Sequence, residues 1–185
     1  MKKNIAAIGQ WPLFACLIFA LAGGSSAAQT PEVSIQTIEP FVYFCIEYKG
    51  PFTQIQEAIA KMAEEMRSQN AGPAGPLMGI YYNNPAQVSV EELQWEVGFP
   101  TTPQTLIQPP LVKKEWNYTQ VAVCLHQGAY EDTADTITKI IDWMTEKGYV
   151  PAGPIMERYL DMNPAELKPE QRKTEVWIPC KKQAG

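Results

Sequence analysis

TEVWIP, residues 174–179, is a β-branched and aromatic stretch closed by a proline, and it decides how the chain is read. This composition predicts a short strand. Because side chains alternate along a strand, Val176 and Ile178 share one face while Glu175 and Trp177 share the other. The apolar face requires a core. The other face places a carboxylate beside an indole ring, which makes Glu175 and Trp177 candidate ligand-binding residues.

A second stretch of the same pattern, WEVGFP at residues 95–100, indicates that the chain consists of two similar halves. Glu96 of the first half corresponds to Glu175 of the second. The segment Ala74–Met78 returns as Ala152–Met156. At the same displacement, three further residues of the first half have counterparts in the second: Gly50, Phe52 and Tyr81 correspond to Gly128, Tyr130 and Tyr159. A repeat of this kind predicts two copies of one unit, packed about a pseudo-two-fold axis.

Each copy is predicted to contain a strand, a helix and two further strands. Ile55, Ile59 and Met62 recur at helical spacing, which indicates an amphipathic helix over Thr53–Ser68, and a second helix is predicted over Asp132–Glu146. We therefore expect an α+β fold of tandem pseudo-two-fold βαββ repeats around a central ligand cleft. One helix covers only one sheet face, so the uncovered faces of the two copies are expected to meet and form that cleft.

The amino terminus resembles an export signal. Two lysines precede an apolar run that ends near Ala22, and small residues at Ser26 and Ala28 suit cleavage before Gln29. A retained membrane anchor and lipidation at Cys16 remain alternatives. We expect a periplasmic or secreted protein with no stable membrane span after cleavage. The predicted organisation is a signal peptide (1–28), a lead-in (29–40), repeat one (41–100), a linker (101–117), repeat two (118–180) and a tail (181–185).

Charge and cysteine content narrow the classes of partner. The formal net charge is −5 at pH 7 and no basic run exists, which argues against nucleic acid and mildly favours cationic small molecules. Three cysteines would remain after export, enough for at most one disulfide. The chain has one histidine, His126, and no Cys/His cluster, so no metal site and no cofactor are predicted. Haem binding is the least supported alternative, because His126 is the one histidine that could bind the iron.

Four motifs resemble the GyrI-like small-molecule-binding family, also called the bacterial transcription-activator effector-binding domain. They are HQGAY (126–130), PAGP (151–154), ERYL (157–160) and TEVWIP (174–179), and the resemblance covers roughly residues 41–180. It implies two βαββ units around a cleft that binds lipophilic cations through an acidic residue among aromatic rings. Glu175 stands at the motif that carries this acid in the multidrug regulators. The sequence lacks a helix-turn-helix segment, so transcription control in the familiar form is not expected.

The candidate residues each have a structural alternative. Glu175 either meets a cationic ligand or pairs internally with Arg158 or Arg172, and strand aromatics are more often core than ligand contacts. The predicted ligand-binding residues are Glu175, Trp177, Glu96, Tyr81, Tyr159, Trp95, Tyr130 and Glu157.

Three functions remain open at this stage. The first is binding of a small, largely apolar and cationic molecule, with Glu175 as counter-charge. The second is hydrolysis of a reactive electrophile, with Glu175 or Glu96 as general base; enzymic relatives of the family hydrolyse strained-ring genotoxins. The third is a partner-binding module, as a monomer or homodimer. The resemblance does not choose between binding and catalysis.

Overall fold

Nine strands and two α-helices make up the part of the chain that the computed structural model describes, residues 32–183. The predicted signal peptide, residues 1–28, lies outside this part. No helix within residues 32–183 has the length and hydropathy that a membrane span requires. In chain order the elements are β1 (Ser34–Thr37), β2 (Phe41–Lys49), α1 (Ile55–Ser68), β3 (Leu77–Tyr81), β4 (Gln94–Pro100), β5 (Val112–Trp116), β6 (Gln120–Gln127), α2 (Thr133–Glu146), β7 (Tyr149–Pro151), β8 (Ile155–Tyr159) and β9 (Lys173–Lys182).

The two halves of the chain join edge to edge in one antiparallel sheet. The strand order is β1-β6-β9-β8-β3-β4-β2-β5, and β7 pairs with β9 beside this path. The element order β2-α1-β3-β4 recurs as β6-α2-β8-β9. At the centre, β3 pairs with β8 so that Gly79 lies opposite Glu157. These two residues therefore lie where the halves meet.

Both helices cover the same face of this sheet, which we call the helix-bearing face. Val97 on β4 packs under α1, and Val176 on β9 packs under α2. Val97 pairs across the strands with Gly79, Gly79 with Glu157, and Glu157 with Val176. Residues paired across an antiparallel sheet share a face. Glu157 therefore lies on the helix-bearing face, as the alternation of β9 predicts for Val176 and Ile178.

The helices leave the middle of the sheet between them. The first helix, α1, packs against β2 and β4, whereas α2 packs against β6, β7 and β9. The central strands β3 and β8 thus lie between the two helices. Side chains that rise from these strands on the helix-bearing face have a helix on each side, which is a suitable position for a ligand between two walls.

The opposite face, which we call the helix-free face, is the inside of a strongly curved sheet. The chain passes from Thr37 at the end of β1 to Phe41 at the start of β2, and these strands stand six places apart in the sheet. In a flat sheet they would be roughly 29 Å apart, but this connection spans at most about 14 Å. The sheet therefore curls until its two ends approach each other.

Packed side chains fill much of this curved interior. Tyr43 and Trp116 from the first half join Val121 and Trp177 from the second in one buried cluster. The sequence predicts that the uncovered faces meet around the ligand cleft. They do meet, but largely through core packing, and open space on this face lies at its margin.

Three strands, β1, β5 and β7, fall in segments that the sequence did not predict as strands, and β7 pairs with β9. The predicted linker, residues 101–117, contains β5, which pairs with β2, and the lead-in contains β1, which pairs with β6. Lys113, Lys114 and Glu115 make β5 charged, as edge strands commonly are, and with the preceding prolines the segment resembles a surface connector. The pairing partner in each case is distant in sequence, so local composition does not reveal it.

Candidate functional site

Glu157 is a buried carboxylate at the centre of the helix-bearing face. Its exposed fraction is 6%, and it stands on β8 between Gly79 of β3 and Val176 of β9. Burial of a carboxylate is unfavourable unless hydrogen bonds or an opposite charge compensate for the lost water. The groups around Glu157 therefore determine what it can do.

Two tyrosine hydroxyls meet the same oxygen of Glu157. Tyr159 donates a hydrogen bond to Glu157 Oε2 at 2.6 Å, and the Tyr81 hydroxyl donates to that oxygen at 3.2 Å. The two hydroxyls are 3.1 Å apart. Burial raises the pKa of both tyrosines, and the nearby charge of Glu157 adds to the increase. Both hydroxyls therefore keep their protons. We call these three residues the acid–tyrosine cluster.

An aromatic ring from each half supports one tyrosine of this cluster. Phe52 precedes α1 and contacts Tyr81 edge to face, with ring centroids 5.1 Å apart and planes at 73°. Tyr130 precedes α2 and contacts Tyr159 with the same separation and the same angle. The acid–tyrosine cluster thus has an aromatic ring on each side.

Gly79 provides the space that the two hydroxyls occupy. A Cβ at this position would lie 2.8 Å from the Tyr81 hydroxyl oxygen and 3.2 Å from that of Tyr159. The first half carries this glycine where the second half carries Glu157. Glu157 therefore accepts hydrogen bonds from the tyrosines of both halves.

Glu157 has no cationic partner within residues 32–183. The ion pairs in this part of the chain involve Glu47, Glu96 and Glu175. The hydrogen bonds to Glu157 come from the two tyrosines and reach one of its oxygens. The hydrogen bonds to its carboxylate therefore come from neutral hydroxyl groups.

Glu175 has a cationic partner of its own. It forms an ion pair with Arg158, its cross-strand neighbour on β8, and both side chains are partly exposed. The Arg158 guanidinium also lies 4.3 Å from the ring centroid of Trp177. This is the internal pairing that the sequence analysis left as an alternative, and it lies on the helix-free face.

Glu96 is fully buried on the helix-free face and is also paired. Lys114 Nζ lies 2.5 Å from Glu96 Oε2 and 2.7 Å from Glu47 Oε1, and Tyr43 donates to Glu96 Oε1 at 2.7 Å. Burial lowers the pKa of Lys114, but its hydrogen bonds to both glutamates outweigh burial and raise the pKa above the usual range. A cavity of about 360 Å³ beside this pair is lined by Tyr43, Tyr82, Lys114, Glu115, Trp116, Asn117, Tyr118 and Pro154.

The structure thus divides the eight predicted residues into three places. Trp95 packs under α1, stacks on Tyr48 and donates from Nε1 to Gly50 O at 3.0 Å, so its role is in the core. Glu175, Trp177 and Glu96 lie on the helix-free face. The four that come together on the helix-bearing face are Glu157, Tyr81, Tyr159 and Tyr130.

Sequence reasoning missed Lys114, the residue that pairs with Glu96 and Glu47. Lys114 lies in the predicted linker, and its pairing with Glu96 depends on β5 adding to the sheet beside β2. The alternation of Val112, Lys114 and Trp116 was the available signal. Within residues 32–183, no group of three or more His, Cys, Asp or Glu side chains is arranged to hold a metal ion.

Comparison with known proteins agrees with this geometry. Residues 31–181 match the family model described as the GyrI-like small molecule binding domain. The chain belongs to the GyrI-like family. The mixed α+β fold, with a large antiparallel sheet and two helices, agrees with membership of this family and with the α+β fold expected from the sequence. No curated protein matches this GyrI-like chain.

Solved structures share the GyrI-like fold at low sequence identity. The C-terminal domain of EcmrR has a TM-score of 0.70 at 14% identity, over 82% of this chain and 98% of that one. A hydrolase from Listeria innocua has a TM-score of 0.59 at 14% identity, over 81% and 92%. SAV2435 bound to tetraphenylphosphonium has a TM-score of 0.51 at 14% identity, over 81% and 94%. At such identity these likenesses show the fold alone.

Proposed function

We propose that this chain binds a small, largely apolar cation over the central strands, between α1 and α2, with Glu157 as its counter-charge. The observation that carries the proposal is a buried carboxylate that has hydrogen-bond donors but no cation within residues 32–183. A buried charge without an opposite charge is an unfavourable arrangement that a cationic ligand relieves.

The surroundings of Glu157 suit a cation with an apolar body. Tyr81 and Tyr159 hold the carboxylate in place, and their edge contacts with Phe52 and Tyr130 extend the aromatic wall on both sides. Attraction between a cation and each ring contributes about 0.5–2 kcal/mol. The apolar body of the ligand would gain further from removing its surface from water.

The sequence predicts Glu175 as the counter-charge, and we propose Glu157 in its place. A cation that approaches Glu175 has to displace Arg158, and one that approaches Glu96 has to displace Lys114. Each displacement costs an existing ion pair. Glu157 offers its charge without that loss.

The ligand of a structural neighbour supports the class of molecule. SAV2435 is described as bound to tetraphenylphosphonium, a lipophilic cation. This compound is therefore the first probe for the present chain. Calorimetric titration should show binding to the wild type that weakens at least tenfold, about 1.4 kcal/mol, in Glu157→Gln.

Glu175→Gln is the matched control, because it makes the same change at an acid that already has a cationic partner. We expect this variant to bind tetraphenylphosphonium within about threefold of the wild type. Loss of binding in Glu175→Gln with retention in Glu157→Gln would restore the sequence-based assignment. Unchanged affinity in both variants would remove Glu157 and Glu175 as the counter-charge.

Hydrolysis is the second candidate, and the hydrogen bond from Tyr159 to Glu157 favours it. A carboxylate beside a protonated hydroxyl can remove a proton from water while the hydroxyl donates to a leaving oxygen. The hydrolase from Listeria innocua shares the fold. Turnover of an electrophilic strained-ring compound, lost in Glu157→Gln, would establish catalysis, whereas saturable binding without turnover would support the first proposal.

Export is a separate part of the proposal. Because residues 1–28 resemble a signal peptide, we propose a periplasmic or secreted protein that begins at Gln29 after cleavage. Cell fractionation followed by intact-mass measurement tests this directly. A cytoplasmic protein that retains Met1 and Lys2 would contradict it.

A further inference from the structure

Two buried hydrogen-bond donors beside the acid–tyrosine cluster have no acceptor within residues 32–183. They are the hydroxyl of Tyr130 and Nε of Arg172. Buried donors in native proteins are nearly always paired, so a donor without an acceptor calls for an explanation. Here two such donors belong to residues that contact each other.

Arg172 holds its charge without a carboxylate partner. Its guanidinium lies 5.2 Å from the ring centroid of Tyr130, and no ion pair in residues 32–183 includes it. Asp161 is the acid whose charge acts on Tyr130, but Asp161 Oδ2 accepts the Lys173 backbone N–H at 2.7 Å. Arg172 thus presents a partly buried positive charge at the Tyr130 end of the site.

The main chain at Arg172 has a hydrogen-bond partner of its own. Gly128 N donates to Arg172 O at 3.0 Å, which fixes the main chain at the end of β6. The first half has Phe52 where the second has Tyr130, so its aromatic wall offers no hydroxyl. Of these two flanking rings, Tyr130 is therefore the one that carries a hydroxyl.

We propose that the ligand carries a carboxylate or similar oxygen acceptor at the end away from its cationic group, and that Arg172 and Tyr130 bind this oxygen. The inference rests on the proposed function and adds a second contact to it. A guanidinium and a hydroxyl together form strong, charge-assisted hydrogen bonds with a carboxylate. Glu157 would then meet the cation at one end, and Arg172 the anion at the other.

A series of contacts connects Arg172 to Glu157 through Tyr130 and Tyr159. The rings of Tyr130 and Tyr159 have centroids 5.1 Å apart, and the Tyr159 hydroxyl reaches Glu157 at 2.6 Å. From the guanidinium to the carboxylate, the path crosses two adjacent rings. A ligand with an apolar body between its two charges matches this path.

A matched pair of probes tests the inference. Carboxybutyl-triphenylphosphonium and butyl-triphenylphosphonium differ by one carboxylate, and both carry the same cation. Titration of the wild type should show a preference of roughly fivefold or more for the carboxylate probe. Arg172→Gln and Tyr130→Phe should each reduce that preference to below about twofold, since the first removes the guanidinium charge and the second removes the hydroxyl donor.

The controls separate this inference from the proposed function. Arg67→Gln, on the exposed side of α1, should keep the preference. Glu157→Gln should weaken both probes and keep the ratio between them. Equal affinity of the wild type for the two probes, or an unchanged preference in Arg172→Gln, would overturn the inference while leaving Glu157 as counter-charge. Binding of neither probe to the wild type would contradict both proposals.

Discussion

Tyr159 donates its hydroxyl to Glu157 over 2.6 Å, from a position two residues further along the same strand. Alternation places both side chains on the helix-bearing face, where neighbouring strands keep water away. The tyrosine therefore compensates for part of the cost of burying the acid. This pair is the part of the site on which the predictions for stability and for ligand binding rest.

Removal of that donor should lower stability. We expect Tyr159→Phe to reduce the free energy of unfolding by about 1.5–3 kcal/mol at pH 7, because a hydrogen bond to a buried charge is lost. Urea unfolding followed by tryptophan fluorescence measures this. Tyr118→Phe, at an exposed tyrosine, should change stability by less than about 0.5 kcal/mol. Equal effects in the two variants would contradict a special role for the Tyr159 hydroxyl.

A methyl group at Gly79 should displace the hydroxyls of the acid–tyrosine cluster. In Gly79→Ala the added Cβ meets the hydroxyls of Tyr81 and Tyr159 at 2.8 and 3.2 Å, so both rings have to shift. We expect roughly tenfold weaker binding of tetraphenylphosphonium by calorimetry. Gly72→Ala is the control, because its Cβ has no atom within 4 Å. Wild-type affinity in Gly79→Ala would show that hydroxyl placement does not govern binding.

Loss of the lysine beside Glu96 should destabilise the helix-free face. Lys114→Met leaves a fully buried carboxylate without its cation, and we expect a loss of about 3 kcal/mol in the free energy of unfolding. Lys61→Met, at an exposed position on α1, should be nearly neutral. Combining Lys114→Met with Glu96→Gln should recover part of the loss, since the unpaired charge is then removed. Failure of the double variant to recover any stability would contradict this explanation.

Alkaline pH should weaken the fold through its buried tyrosines. Burial and nearby acids raise the pKa of Tyr81 and Tyr159 in the folded state, whereas in the unfolded chain both titrate near about 10. Above that pH the unfolded state loses protons that the folded state keeps, so stability falls as pH rises. Urea unfolding at about pH 8 and about pH 11 should show a smaller drop in Tyr81→Phe than in the wild type. Identical drops would contradict the assignment.

The sequence predicted the elements more completely than their pairing. Helical spacing located α1 and α2 within two residues of their observed starts, and alternation placed Val176 and Ile178 under α2. The strands β1, β5 and β7 were missed, because each pairs with a strand distant in sequence. Local composition does not encode such a pairing.

The sequence named all the candidate residues, but the structure changes which acid we favour as the counter-charge. Glu157 was among the eight because it shares a strand with Tyr159, while Glu175 stood first beside Trp177 and in the family motif. The proposal now favours Glu157, because the structure shows Arg158 against Glu175 and no cation against Glu157. Whether an acid has an internal partner depends on strand register, which motifs do not specify.

The sequence by itself determined two similar strand–helix–strand–strand units, the side of each strand that faces a helix, and a short set of acids and rings for a site. These features follow from periodicity and repetition along the chain. Only the tertiary structure decided which of these acids pairs with a cationic side chain. It did so through cross-strand contacts that place Lys114 at Glu96, Arg158 at Glu175 and two neutral hydroxyls at Glu157.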